Sequence, residues 1–237
     1  VVDFLQIRQT IKATEGRLKA IGDSATTDIA SDALNDVMFY GRNKVKQHMK
    51  DVFDRPTPRT LNSILYQMAT AQKPEAKVFI NESRSKTGVS PAQWLTIQEA
   101  GGGRKDKRIE TWLKDAGLLA DDQQVVPVEQ DNFGNMRGGQ VQKMLSALQA
   151  GDPWQWSKDE KKKAGWRVAR RKDGKPFGIF RMQGVHSKLF LIFTRKHTYQ
   201  RKFKFREVLQ EAWNKKIEGA YAKAWAKHIQ KSLAVVK

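Results

Sequence analysis

The sequence predicts an α+β protein with an N-terminal helical pair, an antiparallel sheet of about five strands, and a long C-terminal amphipathic helix that covers the sheet. Three observations support this prediction. Apolar residues recur at helical spacing at both ends of the chain, alternating segments joined by tight turns fill its C-terminal third, and glycines punctuate residues 82–150. We therefore expect one α+β domain over residues 1–237, with a loop-rich insertion at 82–150.

The first fifty residues are predicted to form two helices, over residues 3–22 and 25–50. Phe4, Ile7 and Ile11 begin an apolar face in the first, and Gly22-Asp23-Ser24 ends it and offers N-cap residues for the second. The second helix is rich in small side chains on its apolar face. A packed helical hairpin is the expected result.

Two strands are predicted next, over residues 62–68 and 77–81. Pro56 and Pro58 end the preceding helix, since neither residue can continue it. Apolar side chains alternate along both strands, and Lys73-Pro74-Glu75 separates them. This pattern is typical of an antiparallel pair.

The insertion has weaker periodicity. We expect a loop after residue 82, helices over 105–116 and 139–149, and a short extended segment at 125–128. Gly101-Gly102-Gly103 and Gly138-Gly139 mark two of its breaks.

The C-terminal third contains three predicted strands, over residues 166–170, 176–182 and 188–195. Asp173-Gly174 between the first two is a strong hairpin signal. Leu189–Phe193 is apolar on both faces, as expected of a central strand.

A long helix is predicted over residues 205–233, where apolar side chains recur every four residues and wind slowly around the helix. Lysines lie on the opposite side, so one face is apolar and the other basic. We expect the apolar face to pack on the sheet. The candidate core positions are Leu209, Trp213, Ile217, Tyr221, Trp225 and Ile229.

Charge is unevenly placed along the chain. The 237 residues include 44 Lys and Arg and 25 Asp and Glu, for a net charge of +19. Residues 151–237 contain 23 basic and 7 acidic residues, a net charge of +16. The C-terminal third is therefore a basic module joined to a nearly neutral one.

Several classes of protein are excluded by composition. The chain has no Cys, so it contains no disulfide and no Cys-ligated zinc or iron–sulfur site. Its apolar runs are far shorter than the roughly 20 residues that span a bilayer, so no membrane anchor is expected. The segment Val1–Phe4 lacks the features of a secretory signal, which favours intracellular assembly.

The basic module suggests a contact surface. Its positive charge is clustered, and Trp166, Phe203 and Phe205 are interleaved with it, as in proteins that contact nucleic acid. A structural alternative is an edge segment in which the aromatic side chains are buried and the basic ones are solvated. The candidate basic residues are Lys161, Lys162, Lys163, Arg170, Arg171, Lys172, Arg201, Lys202, Lys204 and Arg206.

No motif in the chain calls for catalysis, a metal or a cofactor. Lys105 follows three glycines, but Asp106 occupies the position where a phosphate-binding loop needs Ser or Thr. The four histidines are scattered and lack metal-ligand spacing. Asp121, Asp122 and Glu129 are the acids on which a magnesium-dependent nuclease would depend, and solvated loop acids explain them more simply. We expect no enzyme.

The order of elements resembles the minor tail protein Z family of lambda-like bacteriophages, and more loosely the phage tail-completion and neck proteins. The resemblance covers residues 1–80 and 165–237. Three segments carry it: Leu18–Asp23 running into the Ala-rich helix, Arg55–Asn62, and the passage from Leu189–Arg195 through Tyr199 and Phe205 into the final helix. Residues 82–165 depart from the shorter members of the family by their length.

The resemblance implies a structural virion protein that forms a ring at the tail or head–tail neck and carries no catalytic residue. Its partners would be other virion proteins and further copies of the same chain, with a non-specific contact to DNA. It would be assembled in the host cytoplasm. The alternative is a non-specific nucleic-acid-binding protein that acts in phage DNA packaging or regulation.

Overall fold

The computed structural model describes residues 23–83, 90–150, 158 and 165–235, without the side chains of residues 23–25 and 231–235. The predicted helix over 3–22 and the basic residues Lys161, Lys162 and Lys163 lie outside the described residues. The elements are, in order, α1 (Asp23–Val52), α2 (Pro58–Leu61), β1 (Ile64–Gln67), β2 (Lys77–Ile80), α3 (Pro91–Ala100), α4 (Arg108–Asp115), β3 (Gln123–Pro127), α5 (Gly138–Ala147), β4 (Trp166–Arg170), β5 (Pro176–Gln183), β6 (His186–Arg195) and α6 (Phe205–Val235).

The predicted α+β class is confirmed, and the strands form two antiparallel sheets, one of two strands and one of four. Contacts divide the chain into two compact units. The first unit contains the residues up to Gly101 and those from Gln200 onward, and the second contains Gly102–Tyr199. Most of the predicted insertion therefore shares a unit with the C-terminal strands.

The first unit is built around the antiparallel helices α1 and α6. Gly41 of α1 lies against Leu209, and Asp32 of α1 lies against His228, so the helices run in opposite directions. A Cβ atom at Gly41 would come within 3.0 Å of the Leu209 side chain. Ala33 and other buried residues of α1 share this core with α6. The expected partner of α1 was the helix over 3–22, which lies outside the described residues.

The two-stranded sheet β1–β2 shares the core of the first unit. Ile64 pairs with Ile80 and Tyr66 with Val78, and the buried members of these pairs cluster with α1 and α6. Between α1 and β1, the predicted proline stop is confirmed. Pro58 opens the short α2, where the hydroxyl oxygen of Thr57 caps the helix by accepting from the Thr60 N–H.

The second unit contains the four-stranded sheet, in the order β3-β6-β5-β4, and its core includes α4 and α5. The predicted Asp-Gly turn joins β4 to β5, with Gly174 at a φ of +81°. Strand β3 pairs with β6, so the insertion contributes an edge strand to the sheet of the basic module.

The cover of the C-terminal strands differs from the expectation in one respect. The buried residues of these strands cluster with α4, α5 and the segments that follow them. Those of α6 cluster with α1 and the two-stranded sheet. The apolar face of the terminal helix was expected on the sheet that precedes it in sequence, but the core of the first unit receives it.

One helix was not expected. Residues 91–100 lie where a loop is expected after residue 82, and they form α3. Ser90 precedes Pro91 at the first helical position, which is a favourable start for a helix, and Leu95 is buried. The helix is short and its periodicity is weak, so its apolar pattern gave little signal.

Candidate functional site

The candidate basic residues of the second unit that are described lie at the β4–β5 hairpin. Arg170, Arg171 and Lys172 are all exposed. The Arg170 guanidinium donates to the Gly174 carbonyl at 3.0 Å, and the Arg171 N–H donates to the Lys175 carbonyl at 2.9 Å. The hairpin therefore presents several positive charges on a backbone that its own turn hydrogen bonds hold.

The remaining basic candidates lie in the first unit, on the segment that leads into α6. Arg201, Lys202, Lys204 and Arg206 are exposed, and the backbone N–H of Lys202 donates to the Gln98 carbonyl at 3.0 Å. The candidate basic surface is thus not one patch within a single unit. It consists of a basic hairpin (Arg170–Lys172) on one unit and a basic segment (Arg201–Arg206) on the other.

Carboxylates offset part of the charge of the basic segment. Arg201 pairs with Glu207, and Arg206 approaches Glu99 at 3.7 Å. Burial raises the pKa of Glu99 against the opposing effect of Arg206. A hydrogen bond from the backbone N–H at the start of α6 lowers the pKa of Glu207. Burial opposes this effect, and Arg201 adds to it. The basic hairpin therefore carries the less compensated positive charge of the two.

The aromatic side chains interleaved with the basic residues are buried. Phe203 is 0 % exposed and packs on Phe53 and Phe205, with ring centroids 5.6 and 5.7 Å away. Trp166 packs edge-on against Phe190 at 4.9 Å. These rings are committed to the cores of their units, so they are not placed to stack on the bases of a nucleic acid.

The predicted core positions of the terminal helix differ in burial. Leu209 and Trp213 are buried, whereas Ile217, Tyr221, Trp225 and Ile229 are half-buried. Ala220 and Ala224 are buried in the later turns. The buried face winds around the helix. Beyond Trp213, the most buried positions of this face are alanines.

The most completely bonded charged group of the second unit was missed by sequence reasoning. Glu110 is 0 % exposed and accepts four hydrogen bonds: two from Arg104, at 2.6 and 2.5 Å, and one each from the N–H groups of Lys107 and Val125, at 2.7 and 3.0 Å. Burial alone would raise the pKa of Glu110, but these bonds hold it below its ordinary value. Both carboxylate oxygens of Glu110 are therefore satisfied, and Arg104 pairs with them through its two terminal nitrogens.

A second ion cluster lies beside this pair. Asp106 accepts from Lys114 at 2.6 Å and forms an ion pair with Lys196 at 2.9 Å, and the two lysines lower the pKa of Asp106. Both Arg104 and Asp106 follow Gly101-Gly102-Gly103, which sequence reasoning considered only as a break and as a phosphate-binding loop. Glu110 and Lys114 lie on the neighbouring helix α4, whereas Lys196 lies after β6 and is far away in the sequence.

The acids considered for a nuclease do not converge. Asp121 and Asp122 are exposed in the turn before β3, and Glu129 pairs with Lys188 at 2.8 Å. In the described ranges, no group of three or more metal-binding side chains is present. None of the described helices combines the length and apolar content that crossing a bilayer requires.

Comparisons with protein-family models, with curated proteins and with solved structures find no match for this chain.

Proposed function

We propose that the chain is a structural virion protein of a tailed bacteriophage, a ring-forming subunit of the tail or head–tail neck that acts through assembly. Its partners would be other virion proteins and further copies of itself. The order of elements, which resembles phage tail-completion proteins, is the starting point of this proposal.

The observation that carries the proposal is that the basic segments bury their aromatic side chains and expose their charged ones. Their aromatic side chains are buried in the cores, while Arg170, Arg171 and Lys172 project from a hairpin. A rigid array of exposed charge steers an encounter and sets the register of an interface. The opposite end of β5 carries a different surface, because Val185 at the β5–β6 turn is 94 % exposed. Unlike surfaces at two ends of one strand suit head-to-tail contacts, which form rings when the rotation between successive subunits closes.

The test is a mass measurement on the purified full chain, with electron microscopy, alone and mixed with the tail and neck proteins encoded by the same phage. We expect ring-shaped oligomers. The triple variant R170E/R171E/K172E should form fewer rings, whereas Lys143→Glu, on the exposed side of α5, should assemble normally. A monomer at every concentration, with and without those proteins, would contradict the proposal.

A second candidate function is non-specific binding of nucleic acid during DNA packaging or regulation. The exposed charge of the basic hairpin favours it, and the burial of Trp166 and Phe203 does not. Filter binding across a salt series decides the question, since phosphate contacts give a steep linear dependence of log affinity on log salt. Absence of binding at low salt would remove this candidate.

A further inference from the structure

The two edges of the four-stranded sheet are treated differently by the chain. Strand β3 forms one edge and β4 the other. An edge strand presents backbone N–H and C=O groups on its outer side, and these pair readily with another strand unless the protein blocks them. Which outward groups are already engaged therefore decides where another chain could add.

The β3 edge is closed. The Asp122 carbonyl accepts from the Lys196 N–H just after β6, and the Val128 N–H donates to the Phe190 carbonyl of β6. Because bonding residues alternate along an antiparallel strand, the backbone groups of Gln123, Val125 and Pro127 face outward. The Gln123 N–H donates to the Ala120 carbonyl and the Val125 N–H to Glu110, at 3.0 Å in both cases. Pro127 has no N–H. Every outward donor of β3 is thus occupied or absent.

The β4 edge is open toward the rest of the described chain. The Met182 N–H donates to the Gly165 carbonyl at 2.9 Å, which places Gly165 and Arg167 among the residues that bond to β5. By alternation, the N–H and C=O groups of Trp166 and Val168 point outward. Within the residues that the structure describes, none of these four groups has a hydrogen bond, and no strand pairs beyond β4.

The side chains along this edge select the kind of strand that would add. Trp166 and Val168 point to the core face, and Arg167 points to the opposite face and is exposed. The residue of an added strand opposite Arg167 would form a non-hydrogen-bonded pair, in which side chains lie closest. Its neighbours would lie on the core face. The complementary segment therefore alternates apolar and acidic residues.

The positive charge of the basic hairpin also favours an acidic partner strand and disfavours pairing with the β4 strand of a second copy. Arg170, Arg171 and Lys172 continue the positive charge at the end of the strand. Two β4 strands from different copies would bring like charges together, which is destabilising in cross-strand pairs. From these observations we propose that β4 is a docking edge for an extended, acidic and apolar-alternating segment of a partner protein, which adds as a fifth strand. The inference stands on the sheet alone and does not rest on the proposed function.

Amide hydrogen exchange on the full chain tests this directly. In the free protein, the amides of Arg167 and Ala169 should be protected and those of Trp166 and Val168 should exchange fast. A synthetic nine-residue peptide alternating Val and Glu should protect Trp166 and Val168. Two control peptides should not: one alternating Val and Lys, and one with the same Val and Glu content in two blocks.

Matched variants separate backbone pairing from simple charge attraction. Val168→Pro removes one outward N–H and no bond to β5, and edge strands tolerate proline there. It should weaken binding of the Val–Glu peptide by about tenfold or more, whereas Val168→Thr, which keeps the N–H, should bind within about twofold. Arg167→Glu, which leaves the backbone intact, should transfer the preference to the Val–Lys peptide.

The proposal would be overturned if folded Val168→Pro and Arg167→Glu both bound the Val–Glu peptide with wild-type affinity. It would also be overturned if the Val–Lys peptide, or a single-stranded oligonucleotide, protected the Trp166 and Val168 amides equally well. Protection that appears on self-association of the free protein would also overturn it, because the occupant would then be a second copy.

Discussion

At the residue scale, Glu110 ties three parts of the second unit together. Its carboxylate joins Arg104 after the glycines, the first turn of α4 and the outer edge of β3. A buried charge of this kind is tolerated only when it is paired and fully hydrogen-bonded. The same carboxylate closes the β3 edge, which leaves β4 as the edge whose outward backbone groups have no partner among the described residues.

The change Glu110→Gln should lower the free energy of unfolding by about 3–5 kcal/mol, because it leaves the Arg104 charge without its partner in the interior. Urea denaturation followed by the fluorescence of the native tryptophans measures this. Asp121→Asn, at an exposed turn, is the matched control and should change stability by less than about 0.5 kcal/mol. Equal stability of the two variants would show that the Arg104–Glu110 pair is not structural.

The same carboxylate predicts a pH dependence. The pKa of Glu110 is lower in the folded chain than in the unfolded one, so its contribution is complete above about pH 4.3 and is lost as the pH falls through the folded pKa. The difference in unfolding free energy between wild type and Glu110→Gln should therefore shrink in acid. Urea titrations between about pH 7 and 3 would reveal it, and a difference that grows in acid would give the opposite sign.

Gly178 is a second residue with a stated steric role. A Cβ atom there would lie 2.6 Å from the Leu191 carbonyl oxygen of β6, a backbone atom that cannot move without distorting the sheet. Gly178→Ala should cost about 1–3 kcal/mol in thermal or urea unfolding. Gly139→Ala, where nothing lies within 4 Å and the residue is helical, should be neutral or stabilising by up to about 1 kcal/mol. A neutral Gly178→Ala would mean that β5 and β6 are not so closely apposed.

At the scale of elements, α6 is predicted to derive its stability from a few side chains at its first turns. Trp213 is buried in the core of the first unit, so Trp213→Ala should cost about 3–5 kcal/mol. Lys227 is 67 % exposed and pairs with Asp32 at 2.7 Å, so Lys227→Ala should cost no more than about 1 kcal/mol. Chemical denaturation of both variants would test this. A larger loss in Lys227→Ala would reverse the assignment of the helix faces.

Elements that depend on a local sequence pattern were predicted well, and contacts between distant segments were not. Strand β4 and the start of α6 were predicted at their observed residues, since hairpin chemistry and helical periodicity lie within a short window. The pairing of β3 with β6 was not predicted, because Val125 and Phe193 are far apart in sequence and neither strand encodes its partner.

The candidate site was predictable as a set of residues but not as an arrangement. The clusters at 170–172 and 201–206 were evident from charge alone. Their assignment to different units depends on the core that each neighbouring strand or helix joins, which is a tertiary property. Likewise, burial of Phe203 requires the ring of Phe53, well over a hundred residues earlier in the sequence.

At the scale of the whole molecule, most of the net positive charge lies in the C-terminal third, where some of the aromatic side chains are buried. Residues 151–237 hold a net charge of +16 and include Trp166 and Trp213, both of which lie in cores. An exposed basic hairpin and an open sheet edge next to it are the features of a protein that acts by contacting others. The central proposal is accordingly assembly into a virion.

The composition of purified phage particles tests that proposal most directly. Quantitative mass spectrometry of particles from a phage that encodes this chain should find it in the virion, at a copy number of one ring per particle. Particles made with the R170E/R171E/K172E variant should contain less of it, while those made with Lys143→Glu should not. If the chain is abundant in infected cells but absent from purified particles, the structural role is contradicted.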